Sequence, residues 1–414
     1  MPGEQLRHGL GVKDVVRRRR DRARVVDAGS VPQSAKRCQH QTGCARVFGH
    51  RGILVSVVGA VRGDRVPDTK PRHGSAFGSA SRPLVEIYDT AIFDLDGVVY
   101  VGGEAVKGAP ELIAKMRDAG VLAAYVTNNA SRPPAAVAER LRRIGVHAET
   151  ADVVTSAQAA ARLVAARVPS RARVLVVGGD GLAAALAEQG LTPVWSVAED
   201  PAAVVQGFHP DVGWRLLAEG TAAVESGLPW IASNLDSTLR TATGRAPGNG
   251  LLVGVIAGAT GRRPVVAGKP EPALFAETML RVGADRPLVV GDRLDTDIEG
   301  AVRSAMDSLL VMTGVTDVVT LASAPVGLRP TYASSDLRGL FEPHPAAERV
   351  PQGRRCGGWT ASRGRDADDI ELVGEGDVDD ALRVLVSYCW DRADTTGEAP
   401  IADRVASAWR AAAA

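Results

Sequence analysis

An α/β protein, with parallel strands covered by helices on both faces, is the fold class this chain predicts. Three features of the sequence point to it. From residue 84 onward short apolar runs alternate with amphipathic stretches, the alternation restarts near residue 171, and several apolar runs end abruptly in acids, amides or glycine. In sheets of this kind ligands bind at the carboxyl ends of the strands. The residues that end each run are therefore the first candidates for function.

"DTAIFDLDG" reads as a strand running into Asp94 and Asp96. The helix "KGAPELIAKMRDAG" follows, with Pro110 near its start and Gly120 at its end. "VLAAYVTNN" is the next strand and ends in Thr127, Asn128 and Asn129; after it come the helix "PPAAVAERLRRIG", the short apolar "DVV" and the helix "TSAQAAARLVAARV". In the second alternating section, "RVLVVGGDG", "AAVVQGF" and "PWIASN" read as strands, and "LAAALAEQG", "WRLLAEGTAAVESG" and "GLLVGVIAGATG" as helices. Its length of about 90 residues suits a domain. The Gly178-Gly179-Asp180-Gly181 loop lacks G-x-G-x-x-G spacing and reads as a tight strand-to-helix turn. Further on, "PALFAETMLRVG" is a helix, and "PLVVGDRLDTDIEGA" is a strand running into Asp292, Asp295, Asp297 and Glu299. Beyond about residue 340 the pattern changes. "PHPAAERVPQGRRCGG" is linker-like, "GWTAS" and "DIELVG" read as short strands, and "DVDDALRVLVSYCWDRA" is an amphipathic helix.

At 414 residues the chain predicts two to three domains. Its 45% hydrophobic and 23% charged content is that of a soluble globular protein. No apolar run reaches the roughly 18 residues of a membrane span, and the N-terminus lacks a secretory layout. No spacing among Cys38, Cys44, Cys356 and Cys389 resembles a zinc site, so a reducing, cytoplasmic setting is expected. The net charge of +1 hides an uneven distribution. Residues 1–83 carry roughly +11, including Arg17 to Arg20, and the remainder roughly −10. A basic arm either meets an anionic surface or is a disordered tail, and the near absence of aromatics for base stacking favours the tail. No specific nucleic-acid or membrane partner is expected, and folding is expected to begin near Pro83.

Asp94 and Asp292 stand out because each follows directly on an apolar strand. Burying a carboxylate is costly unless it is paired or holds a metal. A turn accounts for Asp96-Gly97 but not for Asp94. Asp297 and Glu299 have a local explanation in the first turn of a helix, whose dipole favours acids; Asp292 has none. Lys269, in "GKPEP", follows a stretch without lysine that reaches back to Lys115. It precedes a helix whose positive end disfavours a cation, and a compact ammonium required for phosphate is the economical reading. If these strand ends are neighbours, several carboxylates meet one lysine and one hydroxyl. Hard oxygen ligands without His or Cys then point to Mg2+. A carboxylate such as Asp94 is able to attack phosphorus and form an aspartyl-phosphate. A second, Asp96, then protonates the leaving alkoxide and activates water.

These motifs, in this order, resemble the haloacid dehalogenase-like (HAD) superfamily of phosphatases. "DLDGVVY", "TNNASR" and "GDRLDTDI" are similar to the branch of nitrophenylphosphatases, NagD-type proteins, and phosphoglycolate and glycerol-phosphate phosphatases. The resemblance implies a Rossmann-like parallel-sheet core in two parts, residues 84–170 and 263–340. An α/β cap, residues 171–262, would be inserted between them, and residues 341–414 would form a small α+β, acetyltransferase-like extension. It implies Asp94 as nucleophile and Mg2+ held by Asp94, the Asp96 carbonyl and Asp292, with Asp297 in support. Thr127, Asn128 and Lys269 would hold the phosphoryl group, with Asn129 beside them. In the cap, "ASNLDSTLRT" resembles the branch's N-x-D segment, placing Asn234 and Asp236 at the substrate. "GFHPDVGW" departs from the usual acidic, Tyr-containing version, with His209 and Trp214 in place. Arg240 and His209 complete the cap's polar candidates.

The expected activity is Mg2+-dependent hydrolysis of a small phosphorylated metabolite, glycerol 3-phosphate first, with phosphoglycolate, a sugar phosphate or a nucleotide as alternatives. A homodimer through the cap is the expected assembly. The alternative of another class is a non-catalytic phosphometabolite sensor, against which the intact acids and Lys269 weigh. The extension lacks a Gly-rich acyl-CoA loop and reads as a packing or regulatory module.

Overall fold

A computed structural model of the protein describes residues 76–241, 244–366 and 368–412. The Arg-rich arm, with Cys38 and Cys44, lies outside the described residues. The first sheet has six strands, all parallel, in the order Tyr332–Ser334, Asp307–Val311, Pro287–Gly291, Thr90–Phe93, Leu122–Thr127 and Val153–Thr155. Thr90–Phe93 is buried along its whole length, as a central parallel strand must be. Alternate residues serve opposite faces. Ala91 and Phe93 pack with Tyr125, Val290, Leu309 and the helix Ala109–Asp118, whereas Ile92 packs with Ala124, Val126, Val289 and the helix Pro272–Val282. The chain leaves Thr90–Phe93 in both directions across the sheet, so its carboxyl end lies at the switch point where sites form.

A second parallel sheet, in the order Val265–Val266, Trp230–Ala232, Ala203–Gln206, Arg173–Val177 and Thr192–Val194, forms the inserted cap. The helices Trp214–Glu225 and Asn249–Thr260 cover one face. The other face shares an apolar cluster with the first sheet, in which Val174, Val176 and Leu182 of the cap meet Ala157, Ala160 and Val164 of the helix Ser156–Ala165. One boundary therefore differs from the expectation. Val265–Val266 pairs in the cap sheet, so the return to the core follows residue 266 rather than 262. The helix Ser156–Ala165 packs on both sheets. The Gly178–Gly181 turn is tight because the 130–132 loop lies against it: a Cβ on Gly181 would sit 2.3 Å from the Ala130 carbonyl oxygen.

A third, antiparallel sheet, Glu348–Val350, Gly353–Cys356, Trp359–Arg363 and Ile370–Val373, leads into the helices Val378–Thr396 and Ala402–Ala412. The linker-like reading of residues 343–358 is thus corrected to a strand hairpin. Its strand character was hidden by arginines, of which Arg354 is buried against Asp391. The start of the fold is corrected as well. Phe77 is buried with its ring 4.6 Å from that of Trp390, and Ala80 forms an antiparallel bridge to His344, so the chain is already structured before Pro83. Trp359, Leu372, Leu382 and Trp390 of the extension pack with Leu294, Ile298, Leu310 and Leu321 of the core. No helix among the described residues is long and apolar enough to cross a membrane.

Candidate active site

The parallel register brings the strand-end residues together. Phe93 lies opposite Val290 on one side and Tyr125 on the other, and the Asp94 N–H donates to the Val290 carbonyl at 2.9 Å. Asp94, Thr127 and Asp292 therefore leave the sheet side by side. One oxygen from each of Asp94, Asp292 and Asp297 lies within 4.8 Å of the others. Lys269 Nζ donates to Asp94 Oδ1 at 2.5 Å and to Asp297 Oδ1 at 2.7 Å, with its side chain 3% exposed. Of the three clustered carboxylates, two are thus bonded to the ammonium.

That excess of negative charge shows in the ionisation of the group. Burial, then the charges of Asp94 and Asp297, push Asp292 up to about 7. Burial also raises Asp297, to about 6, against the pull of Lys269. Burial opposes the charge on Lys269, but Asp297 and Asp94 outweigh it, so its pKa rises and the ammonium persists. Asp292 Oδ2 accepts from the Val315 N–H at 2.7 Å, while Asp292 Oδ1 is buried without a protein partner. A buried, unsatisfied carboxylate oxygen beside two further acids is the donor set of a hard divalent cation. Two glycines make room for it. Gly97 holds φ +91°, and a Cβ there would sit 2.4 Å from Asp292 Oδ2; at Gly314 the distance would be 1.9 Å.

The other expected residues divide into two groups. Asp96 is exposed, and its backbone is bridged to Tyr100. Thr127 is half-buried at its strand end, where its Oγ1 accepts from the Asn129 N–H at 3.1 Å. Asn129 is exposed, and its Oδ1 takes the Ser131 N–H and hydroxyl at 2.9 and 2.7 Å. Asn128 is half-buried, and its side-chain amide is bonded to protein. Its Oδ1 accepts from Lys269 N at 2.8 Å, and its Nδ2 donates to Lys269 O at 3.0 Å and Asp236 Oδ1 at 3.1 Å. Asn234 Nδ2 donates to the Asn128 carbonyl at 2.6 Å, and Asn234 Oδ1 accepts from Asp236 N at 3.1 Å. Burial raises the Asp236 pKa, an effect offset in part by Asn128. His209 lies against Gly179 and accepts on Nδ1 from the Asp211 N–H at 3.3 Å. The side chain of Arg240 lies outside the described part of the structure.

Sequence reading missed the residues that hold this site from behind. Thr313 Oγ1 donates to the Gly97 carbonyl at 2.6 Å and Val315 serves Asp292. Ser156 Oγ donates to the Asn128 carbonyl at 2.6 Å, and Asn249 Nδ2 to the Asn234 carbonyl at 2.8 Å. The strand end "LLVMTGVT" carried a signal of the same form as "VVGD". Ser156 and Asn249 carried none, being ordinary helix-start residues.

Comparison with known proteins agrees with this geometry. Residues 91–192 match the haloacid dehalogenase-like hydrolase family, and residues 266–340 match a HAD-hydrolase-like family. The chain is 40% identical over 319 residues to the D-glycerol 3-phosphate phosphatase of Mycobacterium tuberculosis, covering 75% of this chain and 88% of that protein. A crystal structure of the M. tuberculosis glycerol phosphate phosphatase in complex with magnesium superposes with a TM-score of 0.69 at 40% identity, covering 75% of this chain and 92% of the other. An acid sugar phosphatase from Staphylococcus saprophyticus is 36% identical over 257 residues, covering 62% of this chain and 97% of that protein. With identity of this extent on a site of this form, the chain belongs to the haloacid dehalogenase-like hydrolases.

Proposed function

We propose that this phosphatase hydrolyses small polyol or hydroxyacid phosphomonoesters, with glycerol 3-phosphate its preferred substrate. The observation that carries the choice is the 40% identity, across 88% of its length, to an enzyme named for that ester. Sugar phosphates are the second reading, favoured by the acid sugar phosphatase relative. Asp94 attacks phosphorus, the ester P–O bond breaks, and Asp96 delivers a proton to the leaving alkoxide. Asp96 then takes a proton from water, which attacks the aspartyl-phosphate, releases inorganic phosphate and restores Asp94. Lys269 and Thr127 hold the phosphoryl oxygens through both steps.

The donor set fits Mg2+, and a related enzyme was crystallised with that ion. Asp94, Asp292 and the Asp96 carbonyl would hold it, with Asp297 behind; once bound, it supplies the positive charge that lets an anion approach a phosphate dianion. The buried thiols of Cys356 and Cys389 are free, which supports a reducing, cytoplasmic setting.

The test is kcat/KM, in Mg2+, for glycerol 3-phosphate, phosphoglycolate, a hexose phosphate and a nucleoside monophosphate. The glycerol ester should lead. Preference for a nucleotide by more than about tenfold, roughly 1.4 kcal/mol of transition-state binding, would sink the substrate assignment. Absence of turnover with every ester would favour a sensor.

A further inference from the structure

The N-x-D segment of the cap is read above as touching substrate, yet its hydrogen bonds run inward. Both Nδ2 protons of Asn234 are committed, to the Asn128 carbonyl at 2.6 Å and to Ser233 Oγ at 3.3 Å. Both Nδ2 protons of Asn128 are committed too, to Lys269 O and Asp236 Oδ1. The Asn128 carbonyl receives two donors, Ser156 Oγ from the core and Asn234 Nδ2 from the cap. Asn249, buried at the start of a cap helix, holds the Asn234 carbonyl in turn. An unbroken relay thus runs Asn249–Asn234–Asn128–Lys269, and it ends on both backbone polar groups of the lysine.

We propose that residues 234–236 are a latch: they seat the cap on the core and, through Asn128, position Lys269, rather than reading the substrate's carbon chain. This rests on the proposed function only in taking Lys269 as the phosphoryl-binding cation. A lysine is a point charge on a flexible four-carbon stem, so its head is only as well placed as its backbone. Here one asparagine amide fixes that backbone at both its N–H and its carbonyl. A displacement of about 1 Å in a catalytic group costs on the order of 100-fold in rate. Because the phosphoryl group is common to all esters, loosening the latch should slow them all alike. Ser156 and Asn249 join the machinery as positioning residues.

The experiment compares the full chain with Asn234→Ala and Ser156→Ala. It measures kcat and KM for glycerol 3-phosphate and for p-nitrophenyl phosphate, whose leaving group has no aliphatic hydroxyls, together with inhibition by orthovanadate. Asn234→Ala should lower kcat on both esters by about tenfold or more. The ratio between the esters should hold within about twofold, and vanadate should bind correspondingly more weakly. Ser156→Ala should move the same parameters in the same direction by a smaller factor. Loss on the glycerol ester at least about tenfold greater than on the aryl ester would mean that Asn234 reads substrate hydroxyls, overturning the proposal. Unchanged kcat on both esters would also overturn it. If Asn234→Ala does not fold at the assay temperature, Ser156→Ala, which touches no ester on either reading, decides the matter. Should another ester prove preferred, the substrate assignment fails while the same ratio, taken with that ester, still tests the latch.

Discussion

Two sets of charge in this molecule are built to opposite rules. At the strand ends, Asp94, Asp292 and Asp297 crowd together, Lys269 bonds Asp94 and Asp297, and Asp292 Oδ1 has no protein partner. In the C-terminal extension the acids of the helix Val378–Thr396 are matched. Asp391 takes a two-pronged bond from Arg354 at 2.7 and 2.9 Å, and Asp394 takes one from Arg329 with both contacts at 2.8 Å. Asp379 accepts from Ser334 Oγ and from the Ser335 amide and hydroxyl. A paired charge tethers one element to another; an excess of like charge is stable only if something else completes it. The first arrangement is a site and the second is a fastening. Substitutions in the two places should therefore damage different properties.

The largest effect is expected at Asp94. Asp94→Asn should reduce phosphate release by roughly 1,000-fold or more and abolish any trapped phosphoenzyme. Its melting temperature should not fall, because one of three crowded carboxylates loses its charge. Near-normal turnover would remove Asp94 from the role of nucleophile. A fall of several degrees would show that the strand-end cluster also acts as a fastening.

Phe77 tests the other half of the contrast. Its ring packs on Trp390, whose indole N–H donates to the Leu321 carbonyl at 2.9 Å. Phe77→Ala should cost about 3–5 kcal/mol of stability, read as a lower urea midpoint. Turnover per folded molecule should stay within about twofold. A chain beginning at residue 83 should lose at least as much, whereas one beginning at residue 76 should be as stable as the full chain. Equal midpoints for those two chains would mean that the extension is held on without Phe77.

How much of this was legible in the sequence follows the same division. The core and its acids could be read because parallel strands are short apolar runs, and a carboxylate directly on such a run has no cheap explanation. Asn128 and Asn234 were placed at strand ends, but their protein partners could not be foreseen, since a sequence shows which amides reach a strand end and not what they face. The hairpin at 348–356 was missed because Arg354, which reads as a solvent residue, is buried by its partner Asp391, 37 positions away. Phe77 was missed because a single aromatic in a glycine-rich stretch carries no periodicity. Long-range pairing explains each miss, and propensity explains none.

The smallest expected effect is also the most direct comparison of the two charge sets, through pH and Mg2+. Asp292 and Asp297 are raised in the fold, to about 7 and about 6. A carboxyl raised above its unfolded value contributes stability that is complete below about pH 4 and is lost as pH rises through its folded pKa. The metal-free protein is thus penalised at pH 8, where both acids are charged together, and a bound cation relieves the penalty. Asp391 and Asp394 behave in the opposite sense. Burial alone would raise Asp391, but bonds from Arg354 and Arg349 hold it below the usual carboxylate range, and Arg329 does the same for Asp394. Their contribution is present at neutral pH, is lost only as pH falls through the carboxylate range, and owes nothing to Mg2+. At pH 8, Mg2+ at about ten times its Kd should stabilise the protein by about 1.4 kcal/mol, a shift of a few degrees in Tm. At pH 5.5 protons compete for the same oxygens, and the shift should shrink to less than half. Asp292→Asn should abolish it at both pH values, whereas Asp394→Asn should lower Tm and leave the Mg2+ shift intact. A Mg2+ shift that is equal at the two pH values would mean that the cation binds away from Asp292 and Asp297, and the strand-end acids would then need another partner for their unsatisfied charge.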